Sequence, residues 1–153
     1  MAYDTARADT ALTTYKETRI KTASQGQLII MLYDESIRRL NRALELMDLN
    51  SKGKKVPGRI EQISKCIMKT EEIITELMVS LDFEQGGDIS RNLFALYAWF
   101  NRELLEANIA QDRDRLSAVR DMIGDLRETW YEIVNKTVTE IENREILGIN
   151  IAG

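Results

Sequence analysis

A chain of 153 residues is long enough to build one domain around a single hydrophobic core. Its 21 basic and 25 acidic residues, mixed along the chain, leave a net charge of −4, a field too weak to point to a nucleic-acid partner. With no histidine, the chain lacks the commonest general base and metal ligand, which excludes imidazole-dependent serine or cysteine catalysis and the Glu-x-x-His pairs of bundle metalloenzymes.

One proline and eight glycines leave few breaks, so a few long elements are expected. No apolar run approaches the roughly 18 residues that span a bilayer. Met1 to Thr14 is polar, so the expectation is a soluble, cytosolic protein without membrane insertion. Cys66 stands alone; it cannot form an intramolecular disulfide, fits a reducing compartment and reads as an ordinary buried residue. The carboxylate pairs Glu71 with Glu72 and Asp112 with Asp114 read as solvated helix surface or caps. No catalytic residue, metal ligand or cofactor site emerges from the sequence.

Residues 1–23 carry scattered Tyr3, Leu12, Tyr15 and Ile20 without a sustained period and read as a mobile or extended arm. Ser24 and Gln27 have the spacing of a capping box, which starts a first helix running to about Leu49. Its Ile29, Tyr33, Ile37, Leu40, Leu44 and Met47 recur every three or four residues and share one face. Asn50 to Gly58 is a turn. A second helix carries Ile60, Ile63, Ile67, Thr70, Ile74, Leu77 and Leu81, and ends before Gly86 and Gly87. Asp88 is placed to cap a third, striped by Ile89, Leu93, Leu96, Tyr97, Phe100, Leu104 and Ala107. Asp112 is placed to cap a fourth, with Leu116, Val119, Ile123, Leu126, Trp130 and Ile133.

Short links favour antiparallel neighbours, so the expected fold is all-α: an up-down-up-down four-helix bundle over residues 24–134. The arm over 1–23 precedes it and an extension over 135–153 follows. In that extension Thr137, Val138 and Thr139 weaken helix, while Ile146, Leu147, Ile149 and Ile151 are too apolar for a solvated tail. It extends the fourth helix or docks on the bundle.

The informative residues are those that one core stripe does not use. At about 100° per residue, Phe94, Ala98, Leu105 and Ile109 point away from the stripe of the third helix, and Trp99 is also off it. Leu28, Met31, Leu32, Leu46 and Leu49 lie off the stripe of the first. Wider core burial is one reading of this surplus, and a homodimeric structural or regulatory bundle is another. A groove in which a partner's amphipathic segment folds as it binds is the third.

The segment YKETRIKTASQGQLIIMLYD, Tyr15 to Asp34, resembles the opening of the flagellar export chaperone family FliS, in which a tyrosine precedes a Thr-Ala-Ser cap and a helix containing Leu-Tyr-Asp. LDFEQGGDISRNLFALYAWFNRELLEANIAQD, Leu81 to Asp112, is similar to that family's stretch of Gly-Gly, Asn-Leu, Leu-Tyr, Arg-x-Leu and Ala-Asn, and LRETW, Leu126 to Trp130, to its end. Gln25 stands where relatives often carry proline, and either residue is acceptable in a first helical turn. The resemblance implies a cytoplasmic chaperone, not an enzyme, that binds the C-terminal segment of flagellin. It also implies that premature polymerisation is blocked and that the client is delivered to the export gate of the flagellar type III apparatus. The client-binding candidates are then Leu28, Met31, Leu32, Leu46, Phe94, Ala98, Trp99, Leu105 and Ile109, with Tyr15 and Ile20 of the arm as a displaceable lid.

Overall fold

The computed structural model describes residues 25–53 and 56–152, with the side chains of 138 and 145–152 left aside. The expected arm with Tyr15 and Ile20, the Ser24 cap and the apolar side chains of the tail lie outside the described residues. Four helices follow one another: α1 (Gln25–Ser51), α2 (Arg59–Val79), α3 (Phe83–Ala110) and α4 (Arg113–Ala152). No strand occurs among the described residues, and none of the helices is long and apolar enough to cross a membrane. The described residues divide into two compact units, one within 32–128 and the other comprising 25–31 with 129–152.

Residues 32–128 form an antiparallel four-helix bundle. Its core is built from Tyr33, Leu40, Leu44 and Met47 of α1, Ile63, Ile67, Ile74 and Leu77 of α2, Tyr97, Phe100, Leu104 and Ala107 of α3, and Leu116, Val119 and Ile123 of α4. These are the stripes that three- and four-residue spacing defines. Ser36 and Thr70 are buried with them, and each hydroxyl donates to a carbonyl one turn back, Leu32 O at 3.0 Å and Cys66 O at 2.9 Å. Cys66 itself is half-buried rather than enclosed.

Polar links set the register between helices. Along the α1–α4 seam, Arg127 Nε donates to Asp34 Oδ1 at 2.8 Å, Arg120 Nη1 to Asn41 Oδ1 at 3.1 Å and Arg113 Nη2 to Asp48 Oδ2 at 3.2 Å. The partners step by seven residues in opposite directions, as an antiparallel heptad pairing requires. The Arg113 hydrogen bond holds the Asp48 carboxyl below the usual carboxylate range. In the core, the hydroxyls of Tyr33 and Tyr97 meet at 2.5 Å and join α1 to α3. Burial raises the Tyr97 phenol above its ordinary pKa, and the bond to Tyr33 partly offsets this.

Several local expectations are corrected. The third helix begins earlier than the glycine pair suggests, because Asp82 rather than Asp88 caps it: Asp82 Oδ1 accepts from Glu84 N and Gln85 N, each at 3.0 Å. Asp88 pairs instead with Arg91. Gly87 does not end an element but kinks α3, adopting φ 50° and ψ −122°, a conformation effectively confined to glycine. A Cβ on Gly86 would meet Ser90 Oγ, which donates to Asp82 O at 2.8 Å. Ile89, just beyond this kink, is 71% exposed and outside the core; Ile60 and Ile133, at the outer ends of their stripes, are also exposed. Asp112 does cap α4, accepting from Arg115 N at 3.1 Å.

In the other unit, the backbone of the tail continues α4 to Ala152. Thr137 and Thr139 fit the helix because their hydroxyls donate to Ile133 O and Asn135 O, both at 2.9 Å.

Tyr33→Phe should cost about 1–3 kcal/mol, because it leaves the buried Tyr97 hydroxyl without this partner. Adding Tyr97→Phe to that variant should cost little more. Urea unfolding of the two single variants and the double variant measures both effects.

Candidate docking face

The outer side of the α2–α3 pair carries a second stripe that the bundle core does not use. On α2 it comprises Ile60, Ser64, Met68, Glu71, Thr75 and Val79, spaced by three or four residues, with Ile60, Met68 and Val79 exposed. On α3 it comprises Phe94, Ala98, Asn101, Leu105, Asn108 and Ile109, of which Phe94, Ala98, Leu105 and Ile109 are exposed. Two hydrogen bonds put these stripes on the same flank. Ser64 Oγ donates to Asn108 Oδ1 at 2.9 Å, and Asn101 Nδ2 donates to Thr75 Oγ1 at 3.1 Å. Phe83 extends the face at the start of α3, its ring lying edge-on to Phe94 with centroids 5.8 Å apart.

Of the candidates from the sequence, Phe94, Ala98, Leu105 and Ile109 therefore share one exposed flank. Trp99 sits to the side of it, half-buried, with its ring 5.9 Å from that of Phe100. Leu28, Met31 and Leu32 are half-buried on the first turns of α1. Leu46 is corrected: it is only 4% exposed, because Ala43, Leu44, Leu46 and Met47 are all buried and α1 turns a wider arc inward than one stripe.

Sequence reasoning missed the α2 half of the face. Met68 and Val79 lie off the α2 core stripe and were available as a signal, but the polar Glu71 and Thr75 between them disguise it. Glu71 is also corrected. It is not a solvated carboxylate: burial raises its pKa, and its Oε1 has no hydrogen-bond partner among the described residues. Glu72, by contrast, is exposed and pairs with Lys69.

A second concavity, a groove of about 290 Å³ between α1 and α2, is lined by Arg39, Arg42, Gln62, Lys65, Cys66 and Lys69, with Leu46 at its floor. A neighbouring concavity of about 450 Å³ shares Arg39, Arg42 and Cys66 with it and also includes Glu45. No group of three or more His, Cys, Asp or Glu side chains among the described residues could hold a metal ion.

The distinctive surface is thus an apolar helix flank on a helical bundle, a form suited to receiving an amphipathic helix. A family model described as flagellar protein FliS matches residues 8–137. The flagellar secretion chaperone FliS of Escherichia coli (strain K12) is 36% identical over 117 residues, covering 76% of this chain and 80% of that protein. Its counterpart in Salmonella typhimurium (strain LT2) is 36% identical over 123 residues, covering 78% and 84%. A solved structure described as a flagellar chaperone from bacteria superposes with a TM-score of 0.65 at 19% identity, over 84% of this chain and 98% of that one, and so shares the fold. The chain belongs to the FliS family, a family of flagellar secretion chaperones and not of enzymes.

The raised pKa of Glu71 gives a pH-dependent stability. The folded carboxyl keeps its proton to higher pH than the unfolded one, so the cost of ionising it is absent below the ordinary carboxylate range. That cost is complete once pH has risen past the folded value. Glu71→Gln should therefore raise Tm at pH 7.5 and leave it unchanged near pH 3.5. Since the side chain is only half-buried, screening limits the rise to about 1–2 °C, which calorimetry at the two pH values resolves.

Proposed function

We propose that this chain is a stoichiometric chaperone that binds the C-terminal segment of flagellin on the outer α2–α3 face. It keeps the segment from polymerising in the cytoplasm and presents it to the export gate of the flagellar type III apparatus. The observation that carries this reading is the set of exposed apolar residues Met68, Phe94, Ala98, Leu105 and Ile109 on one flank of a bundle of the FliS family. Exposed apolar residues at helical spacing are what an amphipathic client helix needs, since its own apolar stripe packs against them as it folds. Ordering a disordered segment is costly, so the interface must be extended, and this flank runs along most of two helices. Leu28, Met31 and Leu32 of α1 are proposed as further client contacts, and Tyr15 and Ile20 as a displaceable lid.

Titration calorimetry with a C-terminal flagellin peptide should show 1:1 binding. Phe94→Asp or Leu105→Asp should each weaken it at least about 10- to 100-fold, since each removes an apolar side chain that the client would cover and puts a charge in its place. Both positions are exposed, so the melting temperatures should hardly move. Binding untouched by either substitution would argue against this face. Sedimentation of the free chain distinguishes the rival homodimer, which both substitutions would convert to monomer. Deletion of residues 1–20 should raise flagellin affinity; unchanged affinity would remove the lid.

A further inference from the structure

The net charge of −4 conceals an uneven distribution. The stretch from Arg38 to Lys69, which comprises the second half of α1, the turn after it and the first half of α2, holds nine of the 21 basic residues and only three of the 25 acidic ones. Its net charge is therefore +6, and the rest of the chain carries −10. Two of the nine, Lys54 and Lys55, lie outside the described residues and belong to no site.

Four of the described cations line the groove between α1 and α2. Arg39 and Arg42 stand three residues apart on α1, and Lys65 and Lys69 four apart on α2, with Cys66 between them. Like charges at these spacings repel one another along each helix and across the groove. The carboxylates that reach these cations come from the same helix in each case: Glu35 to Arg39 at 2.8 Å, Glu45 to Arg42 at 3.4 Å and Glu72 to Lys69 at 3.2 Å. Such pairs contribute little in water, so a carboxylate from outside can join or replace them. Around α2, at about 100° per residue, Lys65, Cys66 and Lys69 lie on the other side of the core stripe from Met68, Glu71 and Thr75. The groove and the outer α2–α3 flank thus have no residue in common.

We propose that the α1–α2 groove is a second docking site, which receives a short acidic segment of a partner protein. Its arginines offer paired N–H donors to carboxylates from one bank, and its lysines offer point charges from the other. The remainder of the chain selects the kind of polyanion. Nucleic acid or an anionic lipid surface would bring a long array of phosphates towards a protein that is net negative outside the hairpin, whereas a short acidic segment meets the basic groove alone. This site is independent of the flagellin-binding reading above.

The test is fluorescence anisotropy of the full chain with a fluorescein-labelled peptide of repeated Glu-Ser at about 150 mM salt. Wild type should bind it and should not bind the neutral Gln-Ser counterpart. Arg42→Glu combined with Lys65→Glu should weaken binding about tenfold or more. Arg102→Glu combined with Lys136→Glu changes the net charge equally at exposed positions outside the groove, and should weaken it by no more than about twofold. All four positions are exposed, so melting temperatures should hardly move. Flagellin-peptide binding should be unchanged in the groove variant, which separates the two readings. No binding of the Glu-Ser peptide, or equal losses in the two double variants, would overturn the site. Tighter binding of a single-stranded oligonucleotide or of phosphatidylglycerol vesicles than of the peptide would overturn the choice of an acidic protein segment.

Discussion

A helix packed in an antiparallel bundle can turn only part of its circumference towards its neighbours. On α2 and α3 that part is filled by Ile63, Ile67, Ile74 and Leu77 and by Tyr97, Phe100, Leu104 and Ala107. Their remaining apolar residues have no place in the core and must face outward. Because Ser64 bonds Asn108 and Thr75 bonds Asn101, the two outward stripes adjoin and make one flank. The apolar flank is thus a consequence of how the core is satisfied.

Opposite demands are met on the other side of the bundle. The heptad ladder of Asp34, Asn41 and Asp48 against Arg127, Arg120 and Arg113 covers the α1–α4 seam with exposed charge and polar groups. Such pairs individually contribute little in water, but their seven-residue step specifies one antiparallel register. The Tyr33–Tyr97 bond then ties α1 to α3 within the core. One side of the bundle is polar and fixed in register, while the other keeps an apolar flank.

Much of this was legible in the sequence because helix periodicity is a property of spacing alone. The stripes around Leu40, Ile67, Phe100 and Val119 identify four helices and their core faces, and the short links give their order. Positions whose state depends on the neighbours were not legible. Leu46 looks surplus by angle, yet it is buried because α1 packs over a wide arc. Ile60, Ile89 and Ile133 continue their stripes beyond the buried part of each helix. Gly86 and Gly87 read as a break, whereas Asp82 starts the helix before them and Gly87 kinks it. The candidate site was half visible: Phe94, Ala98, Leu105 and Ile109 stand out by angle alone. Glu71 reads as one of two adjacent surface carboxylates, and only packing shows that one is shielded and the other is not.

The central claim is that the client lies along the outer α2–α3 flank, and methyl NMR of the labelled chain with and without the C-terminal flagellin peptide tests it most directly. The account requires the Met68, Ala98, Leu105 and Ile109 methyl resonances to shift together on binding, while those of Leu40 and Leu116 in the core stay in place. Shifts confined to α1 and α4, with Met68 and Leu105 unmoved in a saturated complex, would contradict it.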